Sequence, residues 1–175
     1  MKRILLINVY SLISLFGYGQ SSKETLVNCV DIDFNKKVNK MLSYSVDVIS
    51  VPELHEQLND YTLLDTREFD EYTVSRIPGA LHFGYDKPNW TLLDDLDKDA
   101  PIVVYCSIGY RSEKIGEQLI KKGFTQVRNL YGSIFEWANQ RKPLENPRGQ
   151  NVMIVHGYNK RWSKWINNEE IEITY

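Results

Sequence analysis

The sequence predicts an α/β fold in which a central, mostly parallel sheet is flanked by helices on both faces. Two observations support this fold class: short apolar runs typical of buried strands recur along the chain, and segments of helical character separate them. Such alternation implies a parallel sheet that is covered on both faces. Ligands of these folds bind at the carboxyl ends of the strands, so a functional site is expected there.

The predicted strands are short and apolar, and they lie at residues 46–49, 61–65, 80–83, 102–105 and 127–130. The predicted helices lie between or after them, at residues 51–58, 68–73, 91–96, 111–122 and 133–139. Ser50 caps the first of these helices and Pro52 occupies an early helical position, where proline is favoured. In the helix at 111–122, Ile115, Leu119 and Ile120 recur at helical spacing.

An N-terminal extension, residues 20–45, precedes the domain proper, which we place at residues 46–142. A polar helix is predicted at residues 35–42 of this extension. Cys29 is expected in a mobile part of it. A lipid anchor at Cys29 is not expected, because the residues before it lack the small side chain that such a site needs.

A C-terminal extension, residues 143–175, is predicted to pack on the domain. It opens with a turn-rich linker, followed by a strand at 152–155 and a short helix at 158–166. The helix carries Trp162 and Trp165. Large aromatic side chains bury most of their area, which favours packing over the alternative of a protein-binding patch.

The N-terminus has the three parts of a secretory signal peptide, predicted over residues 1–19. Lys2 and Arg3 precede a mainly apolar stretch at residues 4–16, and small residues lead to a cut after Gly19. The stretch is short and polar for a membrane span, although an uncleaved anchor or a buried first helix is the alternative. We therefore expect export to the periplasm or the medium, with no membrane attachment after cleavage.

The composition of the mature chain limits its partners. Cleavage would leave 156 of the 175 residues and remove two basic and no acidic ones, so the net charge would move from −2 to −4. A mildly acidic protein binds nucleic acid or anionic membranes weakly, because its net charge is repelled by theirs. With 42% hydrophobic residues, the chain suffices for one domain with an ordinary core. His55, His82 and His156 lack metal-ligand spacing, so neither a metal nor a cofactor is predicted.

The loop from Cys106 to Arg111 has the pattern of a reactive cysteine site. Cys106 follows a buried strand and begins a short loop, with Gly109 where the loop turns, before a helix. Backbone N–H groups and the helix dipole stabilise an anion at such a position and lower the pKa of the thiol. Cys106 is therefore a candidate nucleophile, and the alternative is a small buried hydrophobic residue.

Two separated segments resemble the rhodanese-like family over about residues 46–142. The first runs from Leu63 to Ala80 and contains LLDTREFDEY and IPGA, and the second contains CSIGYRS, GF and LYGS. The chain departs from the family pattern at Arg76, where a histidine is frequent, and at Ser133, where many members carry a glycine. Neither departure affects the cysteine.

The resemblance implies a sulfurtransferase in which Cys106 attacks the outer sulfur of a donor and becomes a persulfide. The N–H groups from Ile108 to Ser112 would hold the charge of the terminal sulfur, and Arg111 would attract an anionic donor and steady the loop. Four residues separate Cys106 from Arg111, against five in the related phosphatases and arsenate reductases. The shorter loop favours transfer of a single sulfur over phosphate chemistry.

The substrates are defined only as classes. The resemblance implies a donor that is thiosulfate, a small persulfide or a protein persulfide, and an acceptor that is a thiol or cyanide. Ser107, Ile108 and Tyr110 add no positive charge to the loop, which disfavours thiosulfate. Ile108 and Tyr110 suit a partly apolar donor or a protein persulfide.

Three residues of the first segment are predicted to support the site. The resemblance implies that Asp65 lies beneath the loop and accepts backbone hydrogen bonds, while Arg67 pairs locally. Arg76 is expected to pair with Glu71. The alternative for Arg111 is an ion pair with a carboxylate outside the pocket.

Two other functions stay open. One is a non-catalytic module of the same fold that binds a protein through Trp162 and Trp165. The other is a thiol redox or arsenate-type enzyme, which the loop length and the lack of a Cys-x-x-Cys pair disfavour. In an oxidising compartment, Cys29 and Cys106 could also form a reversible disulfide that protects or resolves the persulfide.

Overall fold

The computed structural model describes residues 27–175 and confirms the α/β class. The predicted signal peptide, residues 1–19, lies outside the described residues. Five strands form the central sheet: β1 Asp47–Ile49, β2 Thr62–Asp65, β3 Leu81–His82, β4 Ile102–Tyr105 and β5 Val127–Leu130. Their order is β1-β5-β4-β2-β3, and every neighbouring pair is parallel.

Within residues 27–175, six α-helices accompany the sheet: α1 Ile32–Met41, α2 Val51–Glu56, α3 Phe69–Val74, α4 Tyr110–Lys121, α5 Ser133–Asn139 and α6 Lys160–Ser163. The start of α2 follows the predicted capping signal, because the Ser50 hydroxyl accepts a hydrogen bond from Glu53 N at 3.2 Å and Pro52 lies in the first turn. The start of α1 is capped in the same way by Asp31.

The sheet separates two apolar clusters, as expected when helices cover both faces. In β4, Val103 and Tyr105 belong to one cluster and Ile102 and Val104 to the other. Helix α4 covers the second cluster through Ile115 and Leu119, whereas α1, α2 and α5 contribute to the first. This arrangement fixes β4 in the middle of the sheet, with its carboxyl end directed toward the loop that begins at Cys106.

Several predicted boundaries are wrong at the periphery. The strand predicted at 80–83 has only two residues, because Gly84, with φ +80°, turns the chain away. The helix predicted at 91–96 is a 3₁₀-helix, Trp90–Leu93, whose Trp90 ring packs edge-on against Phe83. The helix predicted at 51–58 ends at Glu56 and continues as the 3₁₀-helix Leu58–Asp60.

The C-terminal extension has more short elements than predicted. β6 Leu144–Glu145 and β7 Asn151–Val152 form an antiparallel pair, and β8 Ile154–His156 pairs in parallel with β9 Glu172–Thr174. The strand predicted at 152–155 is therefore divided, since the chain changes its pairing partner at Met153. The helix predicted at 158–166 is only the four residues of α6.

The N-terminal extension is more closely packed than expected. Phe34 and Val38, one helical turn apart on α1, are fully buried, and Phe34 stacks on Trp165 at 5.7 Å between ring centroids. Cys29, expected in a mobile part of this extension, is buried at 8% exposure, and its N–H donates to Asn35 Oδ1 at 3.0 Å. Among residues 27–175, no helix is long and apolar enough to cross a membrane.

Candidate active site

The Cys106 loop joins β4 to α4 at the carboxyl edge of the sheet. The Cys106 side chain is 1% exposed, and its Sγ accepts a hydrogen bond from Gly109 N at 3.1 Å. Gly109 has φ +117°, which side chains rarely adopt, and a Cβ there would lie 3.3 Å from Leu42 Cδ2. The glycine thus lets the backbone turn its N–H toward the sulfur.

Neighbouring hydroxyl and amide groups hold the loop in place. The Cys106 N–H donates to Ser133 Oγ at 3.1 Å, and the Ser133 hydroxyl donates to Leu130 O at 3.2 Å. On the other side of the loop, Asn129 Nδ2 donates to Gly109 O at 3.0 Å. These contacts tie the loop to β5 and to the start of α5.

Ser133 stands in a backbone conformation that suits glycine. Its φ is +54°, next to Gly132 at +70°. Glycine adopts left-handed backbone without strain, whereas a residue with a Cβ rarely does. Ser133 adopts this conformation, and the Ser133 hydroxyl accepts the hydrogen bond from the Cys106 N–H.

Arg111 is bound from behind by Glu71 of α3. Arg111 Nη1 and Nη2 donate to the two Glu71 carboxylate oxygens at 2.7 and 2.8 Å, and the Ser107 hydroxyl donates to the same carboxylate at 3.1 Å. The side chains of Arg111 and Glu71 are 15% and 4% exposed. Burial alone would raise the pKa of Glu71, but its hydrogen bonds and charge contact with Arg111 lower it.

The environment of Cys106 favours its thiolate. Burial by itself would raise the pKa of the thiol. The positive charge of Arg111, the Ser112 hydroxyl and N–H groups of Ser112 and Gly109 outweigh that effect, so the pKa of Cys106 is lowered. Cys106 therefore has the electrostatics of a nucleophile rather than those of an inert core residue.

A cavity of about 150 Å³ opens over Cys106. The loop contributes Cys106, Ser107, Ile108, Tyr110 and Arg111, whereas the rest of the lining comes from outside it, namely Met41 at the end of α1 and Tyr158 and Trp162 around α6. The Tyr158 ring lies 5.1 Å from the Arg111 guanidinium carbon. Both terminal extensions thus contribute to the wall of the site.

The three residues predicted to support the site lie outside the cavity lining. Asp65 and Arg67 are fully buried, with Arg67 Nη2 at 2.6 Å from Asp65 Oδ2, and Asp65 Oδ1 accepts from Arg67 N at 2.9 Å. The expected pairing of Arg76 with Glu71 is wrong. Arg76 Nε donates to Glu145 at 2.9 Å, because β6 of the C-terminal extension lies beside it, and Glu71 faces Arg111 instead.

Sequence reasoning overlooked four residues of the site. Glu71 pairs with Arg111 and not with Arg76, and the sequence predicts no place in the site for Met41, Tyr158 or Trp162. The two tryptophans of the tail have different surroundings, since Trp162 lines the cavity and Trp165 stacks on Phe34. Nothing in the local pattern distinguishes them, because the difference arises from the fold.

Cys29 differs from Cys106 in its chemistry. Both cysteines are free thiols. Burial and the neighbouring carboxylate of Glu136 raise the pKa of Cys29, which makes it a weak nucleophile in this conformation. Within residues 27–175, no group of three or more His, Cys, Asp or Glu side chains could hold a metal ion.

The sequence matches a known family and several of its relatives. A family model described as a rhodanese-like domain matches residues 50–140. A thiosulfate sulfurtransferase GlpE of Coxiella burnetii (strain RSA 331 / Henzerling II) is 32% identical over 78 residues, which are 45% of this chain and 72% of that protein. A sulfurtransferase of Allochromatium vinosum is 30% identical over 107 residues, covering 59% of this chain and 96% of that protein.

Solved structures agree on the fold. A rhodanese-like domain from an Anabaena protein superposes with a TM-score of 0.53 at 23% identity, covering 57% of this chain and 78% of that one. A thiosulfate sulfurtransferase of Pseudomonas aeruginosa gives 0.53 at 24% identity, covering 60% of this chain and 21% of that one. The matched regions leave much of both terminal extensions of this chain without a counterpart in the family model.

Proposed function

Because the chain belongs to the rhodanese-like domain family, we propose that it is a sulfurtransferase that carries sulfur on Cys106. The observation that carries the proposal is the buried Cys106 sulfur, which accepts the Gly109 N–H and has a lowered pKa beside Arg111. Relatives named sulfurtransferase support the same reaction class. For this general function, the proposed donor is thiosulfate or a persulfide, and the proposed acceptor is a thiol or cyanide.

The reaction has two transfers. The Cys106 thiolate attacks the outer sulfur of the donor, a new S–S bond forms at Cys106, and the donor leaves as sulfite or as a thiolate. The acceptor then attacks the terminal sulfur, and the Cys106 thiolate is released. In each step one S–S bond breaks as the transferred sulfur forms a new bond, which is an S–S bond or, with cyanide as acceptor, a C–S bond, so no net oxidant is needed. The N–H groups at the start of α4 stabilise the charge of the terminal sulfur.

Mass spectrometry of the intact protein tests this function. Wild type should gain the mass of one sulfur after incubation with thiosulfate or an organic persulfide, and cyanide should remove it as thiocyanate. Cys106→Ser should gain nothing, while Cys29→Ser serves as the matched control and should still be loaded. If folded, reduced wild type gained no sulfur from either donor, the sulfurtransferase function would be refuted and a non-catalytic binding module would replace it.

We also propose that the protein is exported. The support is the order of basic residues, apolar stretch and small residues over residues 1–19. Expression in a Gram-negative host followed by N-terminal sequencing of the periplasmic fraction should give Gln20 as the first residue. Recovery of the uncleaved chain from the cytosol would contradict export and leave the proposed reaction untouched.

A further inference from the structure

The cavity over Cys106 has an apolar wall that the family core does not supply. Met41, Tyr158 and Trp162 lie outside the matched residues 50–140, yet all three line the cavity together with Ile108 and Tyr110 of the loop. Trp162 is partly buried against the main core cluster, so its ring is held in place. A polar donor gains little from such a wall, whereas an apolar group attached to the reacting sulfur would be desolvated by it.

The position of Tyr158 is built into the turn before α6. Its backbone has φ +63°, an uncommon conformation for a residue with a side chain. The N–H of Tyr158 donates to His156 Nδ1 at 3.1 Å, and Asn159 caps α6 immediately afterwards. The turn thus directs the Tyr158 ring over Arg111 and toward the cavity.

The cavity offers little free positive charge. Among the described residues that line it, Arg111 is the only cation, and both of its terminal nitrogens are bound to Glu71 while Tyr158 covers its face. Three other cations, Lys37, Arg161 and Lys164, line a neighbouring groove on the far side of the shared Trp162 rather than the cavity itself. A dianion such as thiosulfate would therefore lose its hydration without gaining an unpaired cation.

From the wall and the charge together, we propose that the preferred donor is an organic persulfide whose carbon group is uncharged, apolar and of about the size of a phenyl ring. This rests on the proposed sulfurtransferase function and names its substrate class. The size follows from the cavity of about 150 Å³, a volume at which an apolar cavity in a protein accommodates benzene. Cys106 attacks the terminal sulfur of R–S–SH, the S–S bond breaks, and R–S⁻ leaves with the electron pair.

Loading rates with two matched persulfides test the proposal. The persulfides of benzyl mercaptan and of mercaptosuccinate present the same S–SH group, the first on an apolar ring and the second beside two carboxylates. The rate at which each donor loads Cys106 is followed by intact mass. It is then divided by the rate at which the same donor reacts with a free low-molecular-weight thiol, which corrects for the donor's intrinsic reactivity. Thiosulfate is measured in parallel.

Wild type should prefer benzyl persulfide, and Trp162→Ala should reduce this preference by about tenfold, the scale of discrimination by hydrophobic pockets. Trp165→Ala, in the same tail but stacked on Phe34 away from the cavity, is the matched control and should retain the preference. Tyr158→Asn suits the φ of +63° and alters a half-exposed side chain, so it should fold. By uncovering Arg111, it should also speed loading from mercaptosuccinate persulfide.

The outcomes separate this proposal from the proposed function. Equal normalised rates for the two persulfides, faster loading by thiosulfate, or an unchanged preference in both Trp162→Ala and Tyr158→Asn would overturn the donor class while leaving the sulfurtransferase intact. Failure of every donor to load wild type would overturn both.

Discussion

Replacement of Glu71 and Arg111 by glutamine, singly and together, separates the two effects of their ion pair on the site. The pair stabilises the contact between α3 and the Cys106 loop, and Arg111 also lowers the pKa of Cys106. Both single variants should be less stable than wild type. They should shift the pKa of Cys106 in opposite directions, because Arg111→Gln removes the stabilising charge and Glu71→Gln removes the charge that opposes it.

The size of the stability loss follows from burial. Arg111→Gln leaves Glu71, with a side chain 4% exposed, without its cation, which should cost about 3 kcal/mol or more. Glu71→Gln leaves Arg111 at 15% exposure, where water compensates in part, so a loss of about 2–3 kcal/mol is expected. The double variant has no unpaired charge, and its loss should fall short of the sum by about 2 kcal/mol.

Two assays measure these effects. Urea unfolding gives the free energies of the four proteins of the cycle. The pH dependence of iodoacetamide alkylation, with peptide mapping to distinguish Cys106 from Cys29, gives the direction of each pKa shift. If both single variants moved the alkylation profile the same way, or if their stability losses were additive, the electrostatic account of the loop would be wrong.

Three further predictions concern the backbone of the site and its pH dependence. Ser133→Gly should be about 1 kcal/mol more stable than Ser133→Ala, because both variants lose the hydroxyl but only glycine adopts φ +54° freely. Equal unfolding midpoints of the two variants in urea would show that the backbone at this position is not strained. Gly109→Ala should lose about 1–3 kcal/mol of stability and most of the sulfur loading, because φ is +117° and the new methyl group would press on Leu42. A Gly109→Ala variant that loaded sulfur at the wild-type rate would refute the need for glycine here. The folded-state pKa of Glu71 is lowered, so its contribution to stability is complete above its unfolded value of about 4.3 and is lost as the pH falls through the folded value. Unfolding free energies should therefore fall more steeply below about pH 4.5 in wild type than in Glu71→Gln, and parallel profiles would argue against it.

The reactive loop could be predicted because its signals are local. An apolar strand, a cysteine, a turn glycine and a helix follow one another within about 20 residues, and the structure contains them in that order at β4 and α4. The fold class follows from the same kind of pattern, repeated along the chain. The buried stripe of α1 was also present in the sequence, since Phe34 and Val38 are four residues apart, but its many polar neighbours masked it.

The rest of the site depends on tertiary structure. Glu71 and Arg111 are 40 positions apart, and only the adjacent placement of β2 and β4 brings α3 near the loop. Met41 and Trp162 are farther apart still. Their approach to Cys106 requires both extensions to pack on the same cluster, for which no periodicity or spacing gives a signal. Likewise, the change of pairing at Met153 depends on β6 and β9, which lie far from each other in the sequence.

The cavity wall is assembled from α1, the Cys106 loop and α6. Binding of a donor in the cavity therefore depends on both end segments staying packed on the domain. These end segments are not strands of the central sheet, so their opening is a local event with its own free energy. A donor bound as proposed would be lost when either segment opens, so at ten times its Kd it would add about 1.4 kcal/mol to that opening free energy. Amide exchange and protease cleavage in both end segments should slow together when donor is plentiful. The lifetime of the protein in a protease-rich compartment would thus report the supply of its own substrate.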